Sequence, residues 1–121
     1  MFSEAVLDHF RNPRNAGELP DADATVEVSN PVCGDVLKLA ARVQRGRVME
    51  ARFLCRGCTT AIACASLLTE QLRDRSAEDF AAVTAESIAA ALGGLPAATY
   101  HGAQLAEEAA KALGEKLVGA R

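Results

Sequence analysis

Residues 36–58 read VLKLAARVQRGRVMEARFLCRGC. Leu37, Leu39, Ala41 and Val43 alternate with Lys38, Ala40 and Arg42, the period-two pattern of a strand with one buried face. Arg45-Gly46 stands where a tight hairpin turn belongs. The return run Val48–Cys55 puts Met49, Ala51, Phe53 and Cys55 on one face and Glu50 and Arg52 on the other. The stretch therefore predicts two antiparallel strands. Such a hairpin brings its open ends side by side. Cys33-Gly34-Asp35 before it and Cys58 after it should thus be neighbours in space, although Cys33 and Cys58 are 25 residues apart (58 − 33).

Outward from the hairpin, the signals are mostly helical. Ser3 can cap a short helix from Glu4 to Arg11 with Phe2, Val6 and Phe10 on one face, and Asn12-Pro13 stops it. Residues 13–24 are rich in turn formers, Thr25–Ser29 alternates as a strand would, and Asn30-Pro31 breaks it before a bend at 32–35. After Gly57, Thr59 or Thr60 can cap a helix running to about Arg73. Ser76-x-x-Asp79 has the form of a capping box opening another short helix. Thr84 can cap a third that ends at Gly93-Gly94, with Pro96 beyond. The last helix is expected from His101 to about Val118, with Leu105, Ala109, Leu113 and Leu117 as its apolar stripe. Strands first and helices second argue an α+β fold, an antiparallel sheet with helices packed on it.

The chain has 121 residues, of which 50% are apolar, enough for one domain and one core without disulfide staples. Aromatics are only 4% and alanine fills much of the apolar share, so helices must approach one another closely. A net charge of −3 gives no reason to expect nucleic-acid binding. Glu4, Asp8 and His9 interrupt any signal-peptide pattern, and the apolar stretch Ala61–Leu68 is too short to span a bilayer. The expected location is the cytoplasm. There the four cysteines read as ligands, reactive thiols or buried fillers rather than as disulfides.

Cys33, Asp35, Cys58 and His101 are the candidate ligands: two thiols, a carboxylate and an imidazole, the donor types of zinc and iron–sulfur centres. Cys58 falls near a helix N-terminus, where unpaired N–H groups favour a thiolate. Gly34 and Gly57 flank the two cysteines, and positive φ there would let a metal approach the backbone. Spacing alone does not bring His101 to the hairpin end. Cys64, inside an alanine-rich helix, and Cys55, on the Phe53 face, read as buried fillers. Cys55-Arg56-Gly57-Cys58 also has the C-x-x-C form of zinc and redox sites. His9 reads as a surface or helix-face histidine. Arg42, Arg45, Arg47, Arg52 and Arg56 mark either a solvated sheet face or a docking surface for an acidic protein beside Cys58.

The stretches SEAVLDHFRNPRNAG (3–17), CGDVLKL (33–39), ARFLCRGCTTAIACASLLTE (51–70) and HGAQLAEEAAKAL (101–113) resemble the iron–sulfur cluster assembly scaffold family of IscU, the N-terminal domain of NifU and SufU. The resemblance spans nearly the whole of 1–121. It implies a three-stranded antiparallel sheet with helices packed on it and a metal-binding tip formed by Cys33, Asp35, Cys58 and His101. It further implies sulfur supplied by a cysteine desulfurase, a [2Fe–2S] cluster or iron held at the tip, zinc as another occupant, and apo iron–sulfur proteins as recipients. The implied role is that of a scaffold or carrier, not an enzyme. Two further roles stay open: a zinc-bound sulfur acceptor that stimulates the desulfurase, and a degenerate member with a structural metal or a partner-binding role only. Two positions depart from the pattern. Gly102 follows His101 where the family has a third cysteine, and Leu95-Pro96-Ala97-Ala98-Thr99 keeps only the start of the segment read by a DnaK-class chaperone.

Overall fold

The computed structural model describes residues 2–32 and 34–119. Helix α1 (Glu4–Arg11) leads into strands β1 (Ala24–Ser29), β2 (Val36–Gln44) and β3 (Arg47–Arg56), then helix α2 (Thr59–Leu72), a 3-10 turn (Ala77–Ala82), α3 (Ala85–Ala91), a second 3-10 turn (Ala97–Thr99) and α4 (His101–Gly119). The strands form one antiparallel sheet in the order β1-β2-β3. Helices α2 and α4 pack on one face of it, and α1 packs on α2. This is the α+β architecture that the order of strand and helix signals predicts. No helix among the described residues is long and apolar enough to cross a membrane.

The β2–β3 turn is as expected, with Arg45 and Gly46 both at positive φ (55° and 77°), the two-residue turn whose twist suits a hairpin. One feature of β3 differs. Arg42 pairs with Glu50 but Val43 pairs with Val48, so Met49 is the extra residue of a β-bulge. The bulge turns Val48 into the core and leaves Met49 exposed, where simple alternation puts Met49 inside. Below the bulge the alternation holds: Leu37, Leu39, Ala41, Ala51 and Phe53 are buried. The opposite face is polar, with Lys38 paired to Glu18 (3.2 Å) and Arg42 and Arg52 sharing Glu50 (3.2 and 2.6 Å). Segment 15–17 bonds to the outer edge of β3 through Phe53 N–H to the Asn15 carbonyl (3.0 Å) and Gly17 N–H to the Phe53 carbonyl (2.8 Å), which shields that edge from other strands.

The caps fall partly where sequence puts them. Ser3 Oγ accepts from Val6 N–H and donates to the Leu92 carbonyl, tying α1 to the end of α3. Thr84 and Ser87 form a reciprocal capping box on α3. Helix α2 is different: its N-cap is Cys58 itself, not Thr59 or Thr60, and the Cys58 side chain makes no capping bond. Ser76 bonds the Asp79 side chain (2.9 Å) instead of the backbone, and the segment it opens is a 3-10 turn rather than an α-helix. Along α4, Leu105, Ala109, Leu113 and Leu117 are all buried, and close helix contact uses small residues. A Cβ on Gly114 would lie 3.1 Å from the Phe80 ring.

His9 is buried on the inner face of α1, while Phe10 is exposed. Its Nδ1 lies 2.8 Å from Ser66 Oγ, which also accepts from Arg14 N–H (2.8 Å). Beside it, Asn15 donates to Thr69 Oγ1 (3.1 Å). These bonds fasten α1 and the loop after it to α2. Removing Ser66 Oγ leaves buried groups unpaired, so Ser66→Ala should cost about 1–3 kcal/mol in denaturant unfolding. Burial holds the His9 pKa below its ordinary 6.5, aided by Arg14 and opposed by Glu70 and Asp8. The unfolded chain therefore binds the proton first as pH falls. The His9 contribution is complete above about pH 6.5 and is lost on acidification through the lower, folded-state pKa. Melting temperatures of the native protein and His9→Asn, followed from pH 7.5 to 5, should show the steeper acid loss in the native protein.

Candidate metal centre

The loop between β1 and β2 is closed by Asn30 N–H to the Asp35 carbonyl (2.8 Å), Gly34 N–H to the Asn30 carbonyl (2.7 Å) and Val32 N–H to Asn30 Oδ1 (2.9 Å). Gly34 takes φ 76°, a conformation that costs glycine little. Val36 pairs with Arg56, so the next residues outward on each strand, Asp35 and Gly57, adjoin. Cys58 follows as the N-cap of α2, and its carbonyl accepts from Ile62 N–H (3.1 Å). The turn at 97–99 delivers the chain into α4, whose first residue is His101.

These elements bring three of the four candidate ligands together. His101 Nε2 lies 3.4 Å from Asp35 Oδ2, and Cys58 Sγ lies 3.9 Å from each of them. All three donor atoms fall within 4.8 Å of one another, the described residues' one cluster of this kind. Asp35 is buried, and Cys58 and His101 are partly exposed, so the cluster opens on solvent from one side. Cys33 lies outside the described residues. At zinc's usual bond lengths, donors at tetrahedral corners stand about 3.3–3.6 Å apart. The triad is within a few tenths of an ångström of that spacing, and its sulfur, nitrogen and oxygen donors suit a single borderline ion.

The other two described thiols stand apart. Cys64 is fully buried and its pKa is pushed up to about 12, by burial first and then by Cys58 and Cys55. Cys55 is half-buried at the end of the core, its pKa pushed up to about 11 by burial and by the nearby Asp35 and Cys58. Neither joins the donor cluster, and all three described cysteines are free. Of the five arginines, Arg42 and Arg52 pair with Glu50 and Arg47 bonds the Asp74 carbonyl. Gly57 departs from expectation: its φ is not positive. Its missing side chain makes room instead, since a Cβ there would lie 2.9 Å from Asp35 Cγ. No local sequence signal announces that need.

Residues 1–116 match the family described as NifU-like N terminal domain. The chain is 42% identical over 115 residues to the iron–sulfur cluster assembly scaffold protein IscU of Escherichia coli, covering 92% of this chain and 89% of that one. It is 41% identical over 109 residues to the scaffold protein IscU 1 of Archaeoglobus fulgidus (90% and 71% covered). It is 40% identical over 116 residues to a Drosophila melanogaster protein named iron–sulfur cluster assembly enzyme IscU (93% and 75% covered). The fold is similar to that of a NifU-like N-terminal protein from Brucella abortus, with TM-score 0.78 at 16% identity over 96% of this chain and 93% of that one. A SufU protein from Fervidobacterium islandicum superposes with TM-score 0.77 at 17% identity, over 93% and 96%.

The elevated thiol pKa values give a direct test, because only the thiolate is nucleophilic. In chelator-treated protein alkylated with iodoacetamide at pH 7.5, Cys58 should be modified well before Cys55. Cys64 should remain unlabelled until the chain unfolds, as read by peptide mass spectrometry.

Proposed function

The chain belongs to the NifU-like N-terminal domain family, and from that premise we propose that it is an iron–sulfur cluster assembly scaffold whose site is formed by Cys33, Asp35, Cys58 and His101. The observation that carries this reading is the Asp35–Cys58–His101 cluster, with three different donor atoms held within 4.8 Å at one open tip. Iron and sulfur are the cargo, the sulfur delivered by a cysteine desulfurase as persulfide sulfur and reduced to sulfide by an external two-electron donor. The finished cluster passes to apo iron–sulfur proteins, and the chain acts as carrier rather than catalyst, in the cytoplasm.

The chemistry of each donor follows from its setting. Cys58 and Cys33 supply thiolates, the donors that hold iron in clusters. Asp35 adds a carboxylate oxygen, which lies 3.4 Å from His101 Nε2. His101 adds a nitrogen from the first turn of α4, so a helix joins the sheet tip when metal is held. Two thiolates among four donors bind a cluster less firmly than an all-cysteine site, which suits a group that is to be handed on. Arg56, exposed beside the tip, offers a cation to an acidic partner surface. Before His101, Leu95-Pro96 keeps the start of the family segment read by a DnaK-class chaperone, while the exposed Ala97 and Ala98 depart from it, so that contact is weakened in this chain.

A second reading, a zinc-bound sulfur acceptor that stimulates a desulfurase, is favoured by the same triad, whose spacing fits one tetrahedral ion. Two measurements separate the readings. In anaerobic reconstitution with iron and sulfide, the scaffold should develop a visible iron–sulfur chromophore that Cys58→Ala and His101→Ala lose. Absence of any chromophore from the native protein would overturn the scaffold reading. Zinc should bind at about one ion per chain. At 100 times its Kd it should raise unfolding stability by about 2.7 kcal/mol, a gain that Cys58→Ala abolishes.

A further inference from the structure

The sheet has two outer edges, and they are finished differently. Segment 15–17 covers the edge of β3 with two main-chain bonds. Among the described residues, no strand pairs with the outer edge of β1. Asn30 N–H donates to the Asp35 carbonyl, so in the β1–β2 register Val28 and Val26 also turn their main-chain groups to β2. Thr25, Glu27 and Ser29 alternate with them and turn theirs outward. Lys116 reaches that edge and donates to the Thr25 carbonyl (2.7 Å). A lysine so placed guards an edge against stray strands, but this one guards only the half far from the donor tip. No described residue bonds the outward N–H and carbonyl groups of Glu27 and Ser29.

Side chains give this open half its own chemistry. Glu27 stands opposite Lys38, but the Lys38 ammonium pairs with Glu18 (3.2 Å). Glu27 is exposed and forms no ion pair among the described residues. Just beyond Ser29, Val32 is 94% exposed, more than any other large apolar side chain described. We propose that the outer edge of β1 at 27–29 is a docking site for an extended, basic segment of a partner protein, which adds to the sheet as a fourth strand. Main-chain bonds to Glu27 and Ser29 hold the segment, a lysine or arginine in it meets the Glu27 carboxylate, and an apolar residue covers Val32. This half of β1 leads into the loop that ends at Asp35, so the docked segment arrives at the donor tip. A second copy of this chain is the poorer occupant, because pairing two β1 edges about Glu27 sets two carboxylates opposite each other. The docking depends on the sheet edge and holds whichever ion or cluster the tip carries.

The probe is a short, blocked peptide of alternating valine and lysine, with two counterparts. One has glutamate for lysine, and the other is N-methylated at the lysines, whose N–H groups would face β1. In nuclear magnetic resonance titrations the lysine peptide should shift the amide signals of Glu27, Ser29 and Val32 and slow exchange of the Glu27 and Ser29 N–H groups. Glu27→Lys should weaken that peptide at least tenfold and admit the glutamate peptide instead. Ser29→Pro removes an outward N–H and leaves the ladder to β2, as edge positions allow, and should weaken binding as much. Glu108→Lys, a charge reversal on the exposed side of α4, should leave it unchanged. The proposal is overturned if β1 gives no response, if the N-methylated peptide binds as tightly as its parent, or if Glu27→Lys binds the lysine peptide as the native protein does. Sedimentation of the protein alone should show a monomer. A dimer that Ser29→Pro dissolves would make the occupant a second copy and would also overturn it.

Discussion

The antiparallel register that sets Val36 opposite Arg56 is the constraint on which the tip depends. It makes the loop before β2 and the turn after β3 adjoin, so a carboxylate and a thiol 23 residues apart in sequence (58 − 35) come within 3.9 Å. A one-residue slip of β3 against β2 would turn Phe53 out of the core while Leu37 and Leu39 stay in it, so the joint burial of those three side chains also holds the donors in place. The bulge at Met49 lies at the far end of the hairpin. It corrects the alternation there without disturbing the register that leads to the site.

The second support is helical. An alanine-rich core lets α2 and α4 come close enough that residues 60 and 61 meet Gly102 through backbone atoms. Close packing of this kind is sensitive to added volume. It turns the entry point of α4, and with it His101, into a fixed feature of the sheet tip. On the other side of α2, the buried His9–Ser66–Arg14 bonds fix α1 and the following loop, whose residues 15–17 cover the outer edge of β3. The sheet is therefore tied to its helices both at the tip and along that edge.

Much of this was legible in the sequence because it depends on local chemistry. Alternation from Leu37 onward, the Arg45-Gly46 turn, the Ser3 and Thr84 caps and the α4 stripe each follow from neighbouring residues. The hairpin then implies that Asp35 and Cys58 adjoin. What was not legible depends on tertiary space. Val48 and Met49 are both apolar, so nothing in the composition marks which one the bulge expels. Gly57 looked like a residue chosen for its backbone, yet it is the Asp35 carboxylate that requires the missing side chain. His9 carries no sign of burial until Ser66 is placed beside it by the packing of α1 on α2. The approach of His101 to Cys58 depends on how α4 packs, which spacing does not specify.

On the proposed reading, one ion or cluster edge is held at this tip by a mixed set of donors rather than by thiolates alone. X-ray absorption at the zinc edge of the zinc-loaded protein tests it most directly. The expected result is a four-coordinate first shell of sulfur together with nitrogen and oxygen, with an imidazole scattering pattern that disappears in His101→Ala. A shell of sulfur only, or one unchanged by loss of His101, would contradict it.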